Sequence, residues 1–403
     1  MAESTSFFDE PDPIFANKDL LRVQHLPDKD RIIGRDEELT QLANAIKDAA
    51  HGRTPNNVLV YGKTGTGKSL CTKYITNDLV PSAEENDVTV GVAYVDCFQD
   101  STETQTVRSI ADSLNEPAET DINIPMSGLS TSDYYRRLWN ILEARYDVGL
   151  VILDEIDKLE SDDVLMQLSR AAESGKIEES TLGIIGISNN YTFRQRLSAK
   201  VQDALKEEEI SFSTYDANEL RAILHDRAEK ALSDESYSNS AIAKAAAVAG
   251  RDTGSARQAI DLLRKGAEIV EQNDEQMVED DHIGLAREAV KRGRLQDKIE
   301  DQSLHARLVL EAVAQLDHVG ETPARSKEIM KMYRRVAAKR AEEPLTTLKS
   351  IQNHLSDLYM LGFLLRREEN EGRKGGSYHE YDLDMDPDVV FEVCDELDRE
   401  EAV

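Results

Sequence analysis

The chain has 403 residues, with 48 Lys and Arg against 78 Asp and Glu, and so carries a formal net charge of −30. This length predicts two or three domains rather than one core, and the 40% hydrophobic content argues against wholesale disorder. The apolar runs are too short for a bilayer, and the N-terminus lacks the pattern of a secretion signal. The three scattered cysteines fit neither a disulfide framework nor a zinc site and suit a reducing cell interior. Together these features lead us to expect a cytoplasmic protein without membrane contact.

The acidic residues are spread over every predicted helix rather than gathered in a tail. Such a pattern favours adaptation to high intracellular salt, where the Debye length is only ~3 Å at 1 M and self-repulsion matters little. An ordinary acidic protein is the alternative. The charge is also uneven, because residues 325–374 hold 12 basic and 7 acidic side chains, whereas residues 375–403 hold 1 basic and 11 acidic. A basic segment in so acidic a chain needs an explanation.

After an N-terminal arm over residues 1–25, apolar periodicity predicts strands alternating with helices as far as residue 215. Alternation of this kind indicates a parallel sheet with helices on both faces, an α/β fold, over residues 26–215. The predicted strands are Asn57–Tyr61, Val88–Val95, Gly149–Leu153 and Thr181–Ile187. The predicted helices are Gly34–Ala50, Ser69–Leu79, 102–114 and 132–146, the last two lying in an insertion of about residues 100–146.

The second half of the chain is mostly helical. Four helices, near 217–232, 239–250, 255–272 and 281–293, predict an all-helical domain over residues 216–300 that ends in a polar connector from Gln296. Three more helices, near 304–316, 326–341 and 346–360, precede two strand-like runs around a Gly-rich turn at 371–376. Three helices and a hairpin are typical of a winged helix-turn-helix, here over residues 301–395, with an acidic tail at 396–403.

The segment from Gly62 to Ser69 matches G-x-x-x-x-G-K-[ST] and lies between a predicted strand and a predicted helix, as this phosphate-binding motif requires. The glycines allow backbone N–H groups to face phosphates, the lysine supplies a point charge, and the serine hydroxyl is a Mg²⁺ ligand. A Gly-rich turn without a ligand is the alternative. The predicted nucleotide-binding residues here are Gly62, Thr64, Gly65, Thr66, Gly67, Lys68 and Ser69.

Two later strands end in polar side chains suited to the same chemistry. A buried strand ends at Asp154 and Glu155, where Asp154 would hold Mg²⁺ and Glu155 would polarise the attacking water. The next strand ends at Asn189, whose amide could position that water. Apolar strands often end in acids or turns without any function, so these assignments depend on the preceding phosphate-binding motif.

The order of these parts resembles the archaeal origin-recognition (ORC-type) initiators, AAA+ ATPases that mark replication origins and help to load the MCM helicase. The resemblance covers roughly residues 15–390. The phrases that carry it are Arg35-Asp-Glu-Glu, Phe212-Ser-Thr-Tyr215-Asp-Ala-Asn-Glu-Leu220 followed by Arg227, and Gly254-Ser-Ala-Arg257-Gln-Ala-Ile-Asp-Leu-Leu263. It implies ATP or ADP with Mg²⁺ as ligands, and origin duplex DNA, an MCM-type helicase and further initiator copies as partners.

The resemblance also assigns roles. It makes Asn189 the sensor-1 amide and Arg257 the sensor-2 arginine at the γ-phosphate, while Tyr215 and Arg227 close the helical lid over the nucleotide. By residue type alone, Arg257 is equally an ordinary surface arginine and Tyr215 a lid-core aromatic. The family usually has a finger arginine where this chain has Lys200, and lysine lacks the planar fork of arginine. We therefore expect a slow ATPase unless Arg194 or Arg196 substitutes.

The winged helix supplies a candidate DNA site. Apolar positions of helix 345–361 face its core, which leaves polar side chains for base edges, and wing residues usually touch phosphates. A protein-docking winged helix is the alternative, and by resemblance the 100–146 insertion also contacts DNA. The predicted DNA-binding residues are Lys349, Asn353, Arg366, Arg367, Arg373 and Lys374.

Three functions fit these features. The leading hypothesis is an ATP-dependent replication initiator that binds origin DNA and helps recruit or load the helicase. The alternative is a nucleotide-switched regulator whose winged helix docks promoter DNA or protein. A clamp loader or Holliday-junction motor is disfavoured, because such machines need a competent finger and a closed ring.

Overall fold

The computed structural model describes residues 14–22, 32–370 and 377–401. The chain divides into two compact units, residues 1–286 and 287–403. Within the described ranges, no helix is both long enough and apolar enough to cross a membrane.

The first unit contains a five-stranded sheet in the order β2-β3-β4-β1-β5, with every neighbouring pair parallel. Its strands are β1 Val58–Gly62, β2 Val90–Asp96, β3 Val148–Asp154, β4 Thr181–Ser188 and β5 Glu208–Phe212. Strand β5 was not predicted from the sequence. This edge strand exposes Glu208, Glu209 and Ser211 and buries only Ile210 and Phe212, so it lacks the continuous apolar run of the inner strands.

Helices cover both faces of this sheet, which confirms the predicted α/β fold. They are α1 Asp36–Ile46, α2 Lys68–Glu84, α3 Glu103–Leu114, α4 Pro117–Thr120, α5 Thr131–Arg145, α6 Asp163–Ser169, α7 Phe193–Arg196 and α8 Ala199–Leu205. Alternate residues of β3 enter opposite cores, Val151 and Leu153 on one face and Leu150 and Ile152 on the other. Helices α3 and α5 of the expected insertion pack into the first of these cores, so they are covering helices of the sheet.

The lid of the first unit is helical, as predicted. It comprises α9 Ala217–Ala231, α10 Asn239–Asp252, α11 Ala256–Gln272 and the first part of α12 Asp280–Glu300. Residues 14–22, expected to be part of a patternless arm, lie on this lid, where Ile14 and Leu21 are fully buried and Phe15 pairs with Leu232. The prediction of a polar connector beginning at Gln296 is wrong for residues 296–300, because α12 continues through Glu300. Its Gln, Lys and Glu residues are good helix formers, and polarity alone does not end a helix.

The second unit is a winged helix, as predicted, and its strands form an antiparallel sheet in the order β6-β8-β7. Its elements are α13 Leu304–His318, β6 Ala324–Arg325, α14 Ser326–Lys339, α15 Leu348–Met360, β7 Leu364–Asn370, β8 Ser377–Leu383 and α16 Pro387–Glu401. Helix α16 was not expected. It packs Val390 and Val393 into the core and includes most of the acidic segment interpreted as a tail. A buried ion pair between Glu311 and Arg340, at 2.6 Å, joins α13 to the end of α14.

Candidate nucleotide site and nucleic-acid interface

The predicted catalytic and phosphate-binding residues meet at one edge of the large sheet. Strands β1, β3 and β4 are neighbours or next neighbours in a parallel order, so their carboxyl ends lie at the same edge. Gly62 ends β1 and leads through the phosphate-binding loop into α2, Asp154 ends β3, and Asn189 follows β4. A cavity of about 490 Å³ opens here. Its lining includes Thr64, Gly65, Gly67, Lys68, Ser69, Asp154, Glu155, Asn189, Tyr215, Arg227 and Arg257.

Two positions of the loop require glycine, because their backbone has positive φ values and because Ser255 and Tyr215 approach them closely. Gly65 and Gly67 have φ values of +79° and +91°, in the left-handed region that favours glycine. A Cβ on Gly65 would lie 1.9 Å from the Ser255 hydroxyl oxygen, and one on Gly67 would lie 2.8 Å from the Tyr215 hydroxyl oxygen. The Ala256 N–H donates to the Gly65 carbonyl at 3.0 Å. The N-terminus of α11 therefore lies directly against the loop.

The Lys68 ammonium lies inside this loop. It donates to the carbonyls of Gly62 and Lys63 at 2.8 and 2.9 Å and to Asn189 Oδ1 at 2.8 Å. Burial lowers the pKa of Lys68 to about 8, although the nearby Asp154 carboxylate acts in the opposite direction. An anionic phosphate beside it would favour the charged form, so Lys68 is placed to bind one.

Ser69 and Asp154 form the predicted metal-binding pair. The Ser69 hydroxyl donates to Asp154 Oδ2 at 2.7 Å, and the Glu155 N–H donates to Asp154 Oδ1 at 2.9 Å. A hydroxyl and a carboxylate side by side are the hard oxygen ligands that Mg²⁺ accepts together with nucleotide phosphates. The Tyr94 hydroxyl also donates to Asp154 Oδ2. Tyr94 was not among the predicted site residues, since only the pairing of β2 with β3 places it there.

Glu155 and Asn189 lie beside this pair. Glu155 has a φ of +51°, and its pKa is raised by burial and by the carboxylates of Asp154 and Asp96. The Asn189 N–H donates to Asp157 Oδ1 at 3.3 Å, which holds the turn after β4 in place. The structure thus brings together the carboxylate and the amide that were predicted to handle the attacking water.

Arg35 connects the phosphate-binding loop to the start of the lid. Its side chain is 2% exposed, and it donates to the Thr66 carbonyl at 3.0 Å and to the Ser213 carbonyl at 2.6 Å. The guanidinium also lies 3.8 Å from the centre of the Tyr215 ring and pairs with Glu38 at 2.9 Å. In the sequence, Arg35 was notable only as the start of the Arg35-Asp-Glu-Glu phrase. No local pattern indicates that this arginine reaches a loop 31 residues away and a linker 178 residues away.

The lid contributes the other predicted nucleotide contacts. Arg257 follows Ala256 in the first turn of α11, and Arg227 lies on α9; both line the cavity. Arg227 also donates to the Leu20 carbonyl at 3.1 Å, so the 14–22 segment supports it. Tyr215 lines the cavity too, but its ring stacks on Arg35 and its hydroxyl lies against Gly67.

The three candidate finger residues differ in their surroundings. Lys200 is exposed on α8, and Arg196 is exposed at the end of α7. Arg194 is bonded to Glu207 and lies 3.2 Å from Glu209, both close to or on β5. Neither Lys200 nor Arg196 has an ion-pair partner among the residues that the structure describes. Arg194 is therefore already engaged, whereas the other two are available.

The predicted DNA-binding residues lie on the second unit. Lys349 and Asn353 are exposed on α15, whose opposite side buries Ile351, Leu355 and Leu358. On β7, Arg366 lies 4.3 Å above the Tyr359 ring and Arg367 lies 3.7 Å from Asp382. Arg373 and Lys374 lie outside the described residues.

The arginines of the 100–146 insertion are all held by local contacts. Their partners are Asp100 for Arg108, Asp133 for Arg136, the Asn123 carbonyl for Arg137, and Glu119 for Arg145. These contacts give the arginines a role within their own domain, so they carry no argument for a DNA contact.

Comparison with known proteins decides the family. Models of an AAA domain, a Cdc6 AAA+ ATPase-type lid domain and a CDC6 C-terminal winged helix domain match residues 51–229, 221–288 and 297–393. The chain is 44% identical over 388 residues to ORC1-type DNA replication protein 8 of Halobacterium salinarum, covering 96% of each chain. The chain belongs to the ORC-type family of DNA replication initiators. It therefore contains an AAA+ ATPase-type domain.

Two further comparisons support membership of this family. ORC1-type DNA replication protein 9 of Haloarcula marismortui is 39% identical over 384 residues, covering 94% of this chain and 91% of that one. The solved structure of the Aeropyrum pernix ORC1 protein in complex with DNA superposes with a TM-score of 0.82 at 31% identity, covering 96% of this chain and 98% of that one. The relatives from Halobacterium and Haloarcula are halophilic, which agrees with the interpretation of the −30 charge.

We predict that Lys68 and Glu155 separate nucleotide binding from hydrolysis. Lys68→Ala removes the ammonium of the loop and should abolish retention of labelled ATP and ADP in a filter-binding assay. Glu155→Gln keeps the shape of the site but removes the base, so it should bind ATP normally and release no phosphate. Equal ATP affinity of Lys68→Ala and wild type would contradict the assignment of the loop.

We predict that Arg35 and Tyr215 act as one unit. Arg35→Lys keeps the charge but loses the planar group that stacks on Tyr215 and bonds two carbonyls at once. It should weaken ADP binding about tenfold or more, and Tyr215→Ala should act in the same direction. In the double variant, the loss of ADP-binding free energy measured by calorimetry should be much smaller than the sum of the losses in the two single variants. Tyr215→Phe, which keeps the ring, is the matched control; strictly additive effects would refute the coupling.

Proposed function

We propose that this protein is an ATP-dependent replication initiator that binds origin duplex DNA and takes part in recruiting or loading the replicative helicase. The observation that carries the proposal is the cavity in which the phosphate-binding loop, the Asp154–Glu155 strand end and the N-terminus of α11 meet. The same chain has a winged helix with an exposed polar face on α15. The names of its relatives and the DNA complex of the Aeropyrum protein support the link to replication.

The site residues suggest how ATP is held and cleaved. The loop N–H groups and Lys68 bind the β- and γ-phosphates, while Arg257 approaches the γ-phosphate from the lid. Glu155 and Asn189 hold and polarise the attacking water. Mg²⁺ at Ser69 and Asp154 would neutralise charge on the phosphates. Tyr94 and Ser69, which both donate to Asp154, keep that carboxylate aimed at the position of the phosphates.

We propose that turnover is slow and that the protein acts mainly as a nucleotide-dependent switch. The family finger position is Lys200, and a lysine cannot form the bidentate contact of an arginine. Arg194 is bonded to Glu207 and Glu209, so a neighbouring copy on DNA would have to draw it from those carboxylates. Arg196 is the exposed arginine closest in sequence to Lys200.

DNA binding must overcome an unfavourable overall charge. At −30, long-range attraction to a polyanion is absent, and at high salt counterion release contributes little. Binding then depends on short-range contacts, with Lys349 and Asn353 on base edges and the Arg366, Arg367, Arg373 and Lys374 group on phosphates. The alternative, a regulator docking at promoters, uses the same residues and differs in its target sites.

We predict that Lys200→Arg accelerates ATP hydrolysis and that wild type responds little to protein concentration or DNA. A finger arginine contributes on the order of 10³-fold in rate, so even a poorly placed one should be measurable by phosphate release. Lys200→Ala and Arg196→Ala serve as the matched pair. Robust, concentration-dependent turnover in wild type that Lys200→Ala leaves unchanged would exclude Lys200 as the finger.

Footprinting of the purified protein on its own genomic DNA, at high salt with ATP or ADP, tests the proposed function. We expect protection of repeats beside a replication gene, whereas footprints confined to other promoters would support the regulator.

Asn353→Ala and Lys349→Ala should relax sequence preference, and Arg373→Ala with Lys374→Ala should weaken binding to all sequences alike. The slope of log K against log salt should be shallow. A steep negative slope would contradict binding by short-range contacts.

A further inference from the structure

Helix α14 has an unusual charge for this chain. Its 14 residues include five Lys and Arg and a single acid, Glu328, although acids outnumber bases 78 to 48 in the whole sequence. Among the other described helices of ten residues or more, none has more than one basic residue in excess of its acids. This helix therefore carries a net charge of +4, out of the net +5 of residues 325–374.

The basic side chains of α14 share one face. At 100° per residue, Lys327, Lys331, Arg334, Arg335 and Lys339 fall within an arc of about 140°. All five are exposed, whereas the opposite side buries Ile329, Tyr333, Val336 and Ala337 in the core of the winged helix. We call these five residues the α14 basic face. It extends along the helix for about 18 Å.

The acids of the described chain do not neutralise this face. None of the five cations forms an ion pair with a described carboxylate, although many other arginines of the chain do. Glu328, the one acid of the helix, accepts a hydrogen bond from the Arg325 N–H at the helix start, at 2.8 Å. A protein of charge −30 therefore holds five cations side by side, none of them paired with a carboxylate in the described part of the chain.

We propose that the α14 basic face binds the phosphate backbone of duplex DNA, as a contact additional to α15 and the wing. The inference rests on the proposed function. Duplex DNA carries a charge every ~1.7 Å along its axis, so a row of cations about 18 Å long meets several phosphates at once. In helix-turn-helix proteins the helix before the recognition helix crosses the backbone, and α14 directly precedes α15.

The composition of the face favours phosphate over an acidic protein. Its exposed residues are the five lysines and arginines, Ala338 and, at the helix start, the acid Glu328, with no aromatic or large aliphatic side chain among them. Protein interfaces depend on a desolvated core of aromatic and apolar anchors, which this face does not offer. Binding to the backbone needs only charge and hydrogen-bond donors, both of which Lys and Arg supply.

The test replaces three cations and compares the result with a matched loss of charge elsewhere. The face variant is Lys331→Gln, Arg334→Gln and Arg335→Gln. The control variant is Lys47→Gln, Lys176→Gln and Lys230→Gln, which changes the net charge equally at exposed positions of the first unit. Fluorescence anisotropy at constant high salt measures the affinity of each full-length protein for two duplexes, a footprinted origin repeat and a scrambled sequence.

We expect the face variant to bind both duplexes about tenfold more weakly or worse, with the ratio between them unchanged, because phosphate contacts carry no sequence information. The control variant should bind within about twofold of wild type. The variant Arg334→Lys with Arg335→Lys, which keeps the charge, should retain most of the affinity. That result separates a lost contact from a misfolded domain.

Wild-type affinity of the face variant for both duplexes would overturn the proposal. So would an altered self-association of the face variant in sedimentation with unchanged DNA affinity, since the face would then dock an acidic surface of a second copy. If the wild type bound both duplexes equally and the face variant bound neither, origin recognition would be refuted, but the proposed backbone contact of the α14 basic face would be supported. A wild type that binds neither would refute both.

Discussion

The contact between the phosphate-binding loop and the lid is the constraint on which the rest of the first unit depends. The loop is bonded on one side to the sheet edge and on the other to the start of α11, through the Gly65 carbonyl and the Ala256 N–H. Gly65 and Gly67 cannot take a side chain without moving the lid or its linker, because Ser255 and Tyr215 occupy the space that a Cβ would need. The two helix N-termini, of α2 and α11, therefore meet at one cavity, where a bound phosphate chain would contact both.

Arg35 extends this contact beyond the cavity. A buried guanidinium is costly unless it is fully paired, and here the loop, the linker before α9, Glu38 and the Tyr215 ring together satisfy it. A shift of the loop on nucleotide binding would consequently change the surroundings of the linker that leads into the lid. The 14–22 segment adds a second support, through Leu20 and Arg227. We propose that the lid responds to nucleotide because the linker leading into it is bonded, through Arg35, to the phosphate-binding loop.

The sequence predicted the parts of this structure that have strong local signals. The phosphate-binding loop, the Asp154 strand end and the helical periodicity of the winged helix are each contained in a short segment. Strand β5 was missed because an edge strand with Glu208 and Glu209 outward has little apolar pattern. The continuation of α12 was missed because a run of polar residues is compatible with a linker as well as with an exposed helix. The contacts of Arg35 and Tyr94 could not be predicted, since their partners are distant in sequence. The α14 basic face needed the structure, which showed that its charges share one side and have no described partner.

Hydrogen–deuterium exchange with and without nucleotide tests most directly the claim that the loop and lid respond as one assembly. Addition of ATP with Mg²⁺ should protect the loop at 62–69 and, to a similar degree, the backbone of 213–217 and 254–260. The segment 254–260 is bonded to both other segments, and Arg35 joins the loop to Ser213. Helix α16 should exchange unchanged. Protection restricted to the loop, with the hinge and the start of α11 exchanging as in the free protein, would contradict the account.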